Sequence, residues 1–257
     1  MRADQLLVER GLAASRSQAQ RLIATGVRWR LGSAPFQAVK KNGDELPVHA
    51  ELQLVDDAEV RYVSRGGLKL EGALHACDLD VTGWRCLDVG QSTGGFTDAL
   101  LRAGAMQVVG LDVGHDQLHP SLRTHPLVRC HEGLNARDLQ PLDPRLDAGQ
   151  GFDLVVGDVS FISLTLVLPA VARQLKPGGQ LLMLVKPQFE LQPGQLGKGG
   201  IVKDVNLYDQ VRQRILAACE SLGVINLNWL ASPIEGGDGN REFFIHAMRS
   251  HEGRDLI

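Results

Sequence analysis

The run CLDVGQSTGGFTDALL, residues 86–101, sets an acid, Asp88, near the end of an apolar stretch and follows it with Gly90, Gly94 and Gly95. Glycines so placed permit a tight turn and let a ligand come close to the backbone. Gly90 and Gly95 bracket four residues, as in the loop that cradles phosphates. The next two residues are Phe96 and Thr97, however, so the phosphate-binding lysine is missing. The spacing also fails the dinucleotide fingerprint G-x-G-x-x-G. What remains is a strand, a Gly-rich turn and a helix, the general nucleoside crevice of an open α/β sheet. A second group of residues could move a proton. Asp158 ends the run LVVGD, Lys186 ends LLMLVK, Glu242 opens EFFIHAM, and Lys69 lies within SRGGLKLEGALHAC. A lysine beside another ammonium in a partly dry pocket loses its proton more readily, and carboxylates orient it. That chemistry suits an alcohol attacking a methyl-cation equivalent. Taken singly, each residue fits a surface ion pair as well; their convergence is the argument.

Convergence requires a particular set of elements. From residue 64 strands and helices alternate: helix SRGGLKLEGALHAC, strand RCLDVG, helix FTDALLRAG, strands QVVGLDV, LVRCHEG and FDLVVGD, helix LTLVLPAVARQL, strand QLLMLVKP and helix DVNLYDQVRQRILAACESLG. Continuous apolar strands in this alternation predict a parallel sheet covered on both faces. The last two strands, INLNWLASPI and EFFIHAM, are joined by the turn EGGDGN and should run antiparallel. The expected fold class is α/β, a Rossmann-like seven-stranded, mostly parallel sheet with its last strand reversed. Ligands then bind beyond the carboxyl ends of the strands, where Asp158, Lys186 and the start of a reversed strand meet. Asp112 ends the second strand, 22 residues after Gly90, within reach of a ribose. The same spacing suits a dinucleotide or a simple strand-end cap. The acid-x-Gly-x-x-x-Gly-Gly loop and the reversed strand favour S-adenosylmethionine.

Composition bounds the rest. The chain has 257 residues, 44% of them hydrophobic, and a formal charge of −3. Residues 1–43 hold eight basic residues against Asp4 and Glu9, a local +6, so the remainder carries −9. Such asymmetry points to a basic module for a polyanion, with a solvated helical surface as the plainer alternative. In this module Leu6, Leu7 and Leu12, then Ala19, Leu22 and Ile23, recur at helical spacing, and Gly11 and Gly26 end the two helices. Ser15 or Ser17 suits a cap, and Arg16, Gln20 and Arg21 share a face. Short strands follow at VRWRL, QAVKK and ELQLV. The link falls in DDAEVRYV, residues 56–63. Cys77, Cys86, Cys130 and Cys219 have no C-x-x-C spacing, so buried free thiols are expected and no metal. No membrane-length apolar run and no signal-peptide pattern occur, which predicts a cytoplasmic protein.

The motifs SRGGLKL, CLDVGQSTGGFTDALL, VVGLDVGHDQL, EGLNARDL, FDLVVGDVSFISLTLVLP, LLMLVKPQFE, GKGGIVKD and GNREFF resemble, in order, those of the TlyA or hemolysin-A-like RNA 2′-O-methyltransferases. The first sixty residues are similar to that family's alpha-L RNA-binding domain. The resemblance implies a domain of that type at 1–58, a linker at 59–63, an FtsJ-type methyltransferase domain at 64–250 and a tail at 251–257. It implies transfer of a methyl group from S-adenosylmethionine to a cytidine ribose in ribosomal RNA, with Lys69, Asp158, Lys186 and Glu242 as the catalytic tetrad. Asp88, Gly90, Ser92, Gly94, Gly95, Phe96, Thr97, Asp112, Asn135 and Arg137 would surround the cofactor, and Arg2, Arg16, Gln20, Arg21 and Arg28 would meet RNA. Gln91 stands where the family loop carries a small residue, which predicts crowding of the cofactor, and His115 stands where a tyrosine is expected. A noncatalytic ribosome-assembly factor that keeps the fold is the competing reading.

Overall fold

The computed structural model describes residues 1–55 and 61–250. Part of the 59–63 linker and the whole 251–257 tail lie outside the described residues. The chain divides into two compact units between Arg65 and Gly66.

In the first unit, helices α1 (Ala3–Glu9) and α2 (Arg16–Gly26) accompany an antiparallel sheet of order β2-β1-β3. Its strands are β1 (Val27–Arg30), β2 (Gln37–Ala38) and β3 (Glu51–Leu54). Ser15 caps α2 by accepting a hydrogen bond from the Gln18 amide at 3.2 Å. The apolar stripe of both helices, Leu6, Leu7, Ala19 and Leu22, is buried with Val27.

The second unit is a seven-stranded sheet of order β6-β5-β4-β7-β8-β10-β9. Its strands are β4 (Arg85–Val89), β5 (Gln107–Asp112), β6 (Val128–Glu132), β7 (Phe152–Gly157), β8 (Leu175–Val185), β9 (Val224–Ala231) and β10 (Phe243–Arg249). Strands β4 to β8 pair in parallel, and β10 runs antiparallel to both β8 and β9. The last strand in sequence is thus the reversed one, inserted inside the sheet. Helices α3 (Gly66–Ala76), α4 (Gly95–Arg102), α5 (Pro120–Arg123), α6 (Leu168–Ala172), α7 (Pro187–Glu190) and α8 (Asn206–Ser221) connect and cover the strands. Strand order reverses between β4 and β7, and in open α/β sheets the ligand crevice opens at that switch point. Leu87, Val89, Val155, Leu181, Met183 and Ile245 are fully or almost fully buried around it.

Three details differ from the expected elements. LTLVLPAVARQL forms a 3-10 turn at Leu164–Leu166 and then the short α6, rather than one helix, because Pro169 has no amide hydrogen to donate within a helix and suits only a first turn. Strand β8 begins at Leu175, so it runs through Pro177 and Gly178, with an irregular register against β7 there. Cys86 and Cys219 are buried, but Cys77 and Cys130 only half so, since one follows the end of α3 and the other lies on edge strand β6.

His246 shows how the inserted strand is held. Buried in β10, its Nε2 donates to Gln180 Oε1 of β8 at 2.6 Å, and its Nδ1 accepts from Asn228 Nδ2 of β9 at 3.1 Å. Both ring nitrogens are satisfied only in the neutral form, and burial lowers the pKa. The unfolded chain therefore binds a proton that the folded chain refuses. Stability is full above the ordinary histidine pKa and falls as pH drops through it toward the lowered folded value. Urea midpoints at pH 7.5 and 5.5 should show this loss, and His246→Gln should diminish it; an equal loss in both proteins would assign it elsewhere.

Candidate active site

The ends of three strands bring the ionisable residues together. Val89 pairs with Gly157, so Asp158 leaves β7 at the level of Gly90, and its amide donates to the Val89 carbonyl at 3.0 Å. Phe243 pairs with Val185, so the start of the reversed strand sets Glu242 at the level of Lys186, the residue after β8. Lys69 arrives from α3. That helix can approach because Gly72 faces Pro233, where a β-carbon would lie 2.7 Å from the proline Cγ.

Two ion pairs result. Lys69 Nζ meets Glu242 Oε2 at 2.5 Å, both side chains nearly buried, and Lys186 Nζ meets Asp158 Oδ1 at 2.6 Å. Burial pushes the Glu242 carboxyl above its usual range, with Lys69 pulling the other way. The arrangement holds two ammonium groups between two carboxylates at one sheet edge, a setting in which a lysine can be oriented toward a substrate proton. Removing one member leaves its partner charge partly desolvated.

Beside the pairs lies a cavity of about 480 Å³, within the range of small-molecule sites. Gly90, Ser92, Asp112, Asn135 and Asp158 contribute polar groups to its wall, while Leu111, Leu134 and Val167 are among the apolar ones. Gly90 has φ +79°, and a β-carbon there would approach the Asp158 carbonyl oxygen at 3.1 Å. The left-handed backbone and the close strand end both favour glycine. Asp112 anchors the turn: Oδ2 accepts from the Ser92 amide at 2.8 Å and Oδ1 from the Gly114 amide at 2.7 Å. Each carboxylate oxygen retains acceptor capacity for a vicinal diol. A nucleoside-sized cofactor with a ribose fits this combination of volume, apolar wall and anchored carboxylate.

The other predicted cofactor residues stand outside the cavity wall. Asp88 and Thr97 are fully buried, Thr97 Oγ1 donating to Asp88 Oδ2 at 2.7 Å, and Phe96 is nearly buried, with its ring 6.1 Å from that of Phe244. Burial raises the Asp88 carboxyl to about 7, which the Thr97 hydrogen bond opposes. Gly94 has φ +97° and faces Leu118 and Leu122, so it and Gly95 shape the entry to α4. Arg137 is exposed, its amide donating to Asn135 Oδ1 at 3.0 Å. The expected crowding by Gln91 does not occur. Its side chain turns inward over Gly110 of β5 and donates from Nε2 to Thr97 Oγ1 at 2.8 Å. His115 is exposed against Gly133.

In the first unit, three of the five residues predicted to meet RNA converge on one buried carboxylate. Arg2, Arg16 and Gln20 donate to Asp4 at 3.0, 3.1 and 3.3 Å, and the Arg2 guanidinium foremost holds that carboxyl well below the usual range. Both guanidiniums stay partly exposed. Arg28 is exposed on β1.

Sequence reading passed over Ser160, Phe161 and Gln117 of the cavity wall. Gln117 Oε1 accepts from Ser92 Oγ at 3.1 Å. Phe161 is 90% exposed at φ +63°, a costly conformation for a bulky residue, and its ring lies 5.1 Å from that of Phe189. VSFIS holds Ser160 and Phe161 and GHDQL holds Gln117, and nothing in either string announces a place in the cavity wall.

A doubly wound sheet with a reversed last strand, and a nucleoside-sized cavity at its switch point, define a Rossmann-like methyltransferase. Residues 62–249 match the family described as FtsJ-like methyltransferase, and the chain belongs to that family. It is 45% identical to the 16S/23S rRNA (cytidine-2'-O)-methyltransferase TlyA of Mycobacterium tuberculosis over 99% of this chain and 92% of that one. It is 36% identical to Hemolysin A of Brachyspira hyodysenteriae over 96% of this chain and 99% of that one. A solved structure of a hemolysin-named protein from Streptococcus thermophilus superposes with a TM-score of 0.73 at 40% identity, covering 97% of this chain and 88% of that one.

Proposed function

We propose that this protein transfers a methyl group from S-adenosylmethionine to the 2′-hydroxyl of a cytidine in ribosomal RNA. The observation that carries this reading is the pair of ion pairs, Lys69–Glu242 and Lys186–Asp158, at the sheet edge beside the cavity. The near-full-length relative named as an rRNA (cytidine-2'-O)-methyltransferase supports the substrate. When bound, S-adenosylmethionine supplies an electrophilic methyl group on a sulfonium. Asp112 would hold its ribose, Gly90 and Ser92 would border the methionine end, and Asn135 would lie toward the adenine. Lys186, oriented by Asp158, takes the proton of the ribose hydroxyl, whose O–H electron pair stays on oxygen for the attack. Lys69, held by Glu242, positions the ribose.

The same reading assigns 1–58 to RNA binding and 64–250 to catalysis, joined by the linker at 59–63. Arg2, Arg16, Gln20, Arg21 and Arg28 would contribute to the RNA face. Because Asp4 engages Arg2 and Arg16, their contribution to phosphate binding would be shared with the fold of that unit. The protein would act in the cytoplasm, where ribosomal subunits are modified. Among the described residues no helix is long and apolar enough to cross a membrane.

Phe161 would offer a stacking surface to a base near the target ribose. Its ring is exposed at the cavity although its backbone is strained. Phe161→Ala should raise the KM for RNA about tenfold, the value of roughly one base–aromatic stack, while the affinity for cofactor stays unchanged. An unaltered KM would remove that role.

The reading is tested by labelled methyl transfer to unmethylated ribosomal subunits and to their naked RNAs, with the modified atom mapped. Label on a cytidine 2′-oxygen supports it. No label on any RNA despite cofactor binding would favour the noncatalytic assembly factor.

A further inference from the structure

Lys186 has a neighbour that neither the ion pairs nor the cavity chemistry has used. Ser160 Oγ accepts a hydrogen bond from Lys186 Nζ at 2.6 Å. Asp158 Oδ1 lies at the same distance from that nitrogen, yet this buried oxygen has no contact of hydrogen-bond geometry. The carboxylate thus supplies charge, whereas the serine supplies direction. Ser160 is exposed on the cavity wall, two residues beyond Asp158 and immediately before the strained Phe161. The Phe189 ring centroid lies 5.9 Å from Nζ.

An amine nitrogen carries three positions besides its own carbon. The Ser160 hydroxyl takes one through a hydrogen bond and the Asp158 carboxylate faces the nitrogen from a second side as a charge contact, which leaves one for a substrate oxygen. In the neutral amine that third position holds the lone pair. We infer that Ser160 is a positioning residue for the reaction, fixing the rotation of the Lys186 amine so that its lone pair faces the ribose hydroxyl. The inference rests on the proposed role of Lys186. The proton passes from the ribose oxygen to Nζ, the electron pair of the O–H bond remains on that oxygen, and the lysine leaves the step as an ammonium hydrogen-bonded to Ser160 and the ribose oxygen and ion-paired with Asp158. Without the serine oxygen, Nζ would turn freely against Asp158, and the fraction of encounters with the lone pair correctly aimed would fall.

Steady-state methyl transfer to unmethylated ribosomal subunits, with wild type, Ser160→Ala, Ser160→Thr and Lys186→Ala side by side, tests this. Ser160→Ala should lower kcat about tenfold while the KM for subunits and the Kd for S-adenosylmethionine stay within about twofold, the pattern of an interaction expressed in the chemical step. Ser160→Thr, which keeps the acceptor, should recover most of kcat. A wild-type kcat for Ser160→Ala beside an inactive Lys186→Ala overturns this inference alone. A loss in Ser160→Ala that threonine fails to recover, or that appears equally in KM or Kd, assigns Ser160 to shape or binding and overturns it as well. Activity retained by Lys186→Ala overturns the parent reading and this inference with it.

Discussion

Replacing Lys186 with alanine should lower methyl transfer by about a thousandfold or more while cofactor binding stays within about twofold of wild type. The lysine stands at the carboxyl end of β8, held by Asp158 and Ser160, and it does not contribute to the cavity wall. Its loss should therefore spare the nucleoside site and remove the group that takes the proton. Lys186→Arg sharpens the test. Arginine keeps the positive charge and the pairing with Asp158 but stays protonated at any working pH, so it cannot serve as the base. A dead arginine variant with intact cofactor binding would support proton transfer over electrostatic positioning. Substantial activity in either variant, measured with labelled cofactor and ribosomal subunits, would sink the assignment.

Asp112→Ala should weaken binding of S-adenosylmethionine about a hundredfold, because two charge-assisted hydrogen bonds to a ribose diol contribute roughly 3 kcal/mol together. The effect has two sources. The carboxylate would meet the ribose directly, and it already holds the Ser92 and Gly114 amides that shape the turn. Asp112→Asn, which retains one oxygen, should fall between. Calorimetric titration with the cofactor alone separates this from any effect on RNA. Unchanged affinity in the alanine variant would reduce Asp112 to a cap on the end of its strand.

Much of the second unit was legible because its signals are local. Runs such as CLDV and LLMLV are buried on both faces in a parallel sheet, so they read as continuous apolar strands. The turn EGGDGN left no room for a crossover helix, which forced β10 to reverse. That reversal carried Glu242 to Lys186, and the four ionisable residues met as two close pairs. Other features depend on what lies across the interior. Gln91 faces inward because Gly110, a residue of the neighbouring strand, leaves space for it. Arg2 and Arg16 read as a free basic surface, but both are tied to one buried carboxylate, Asp4, while their guanidiniums stay partly exposed.

By itself, the sequence determined the order of elements, the reversal of the last strand and the residue types at the strand ends, since periodicity, Gly-rich turns and apolar runs act over a few residues. The tertiary structure alone decided which of the loop residues reach the cavity and which lie beneath it. It decided too that Ser160 directs the lysine and that Phe161 stands exposed. Those outcomes depend on side-chain directions set by packing between strands distant in sequence, and no local spacing encodes them.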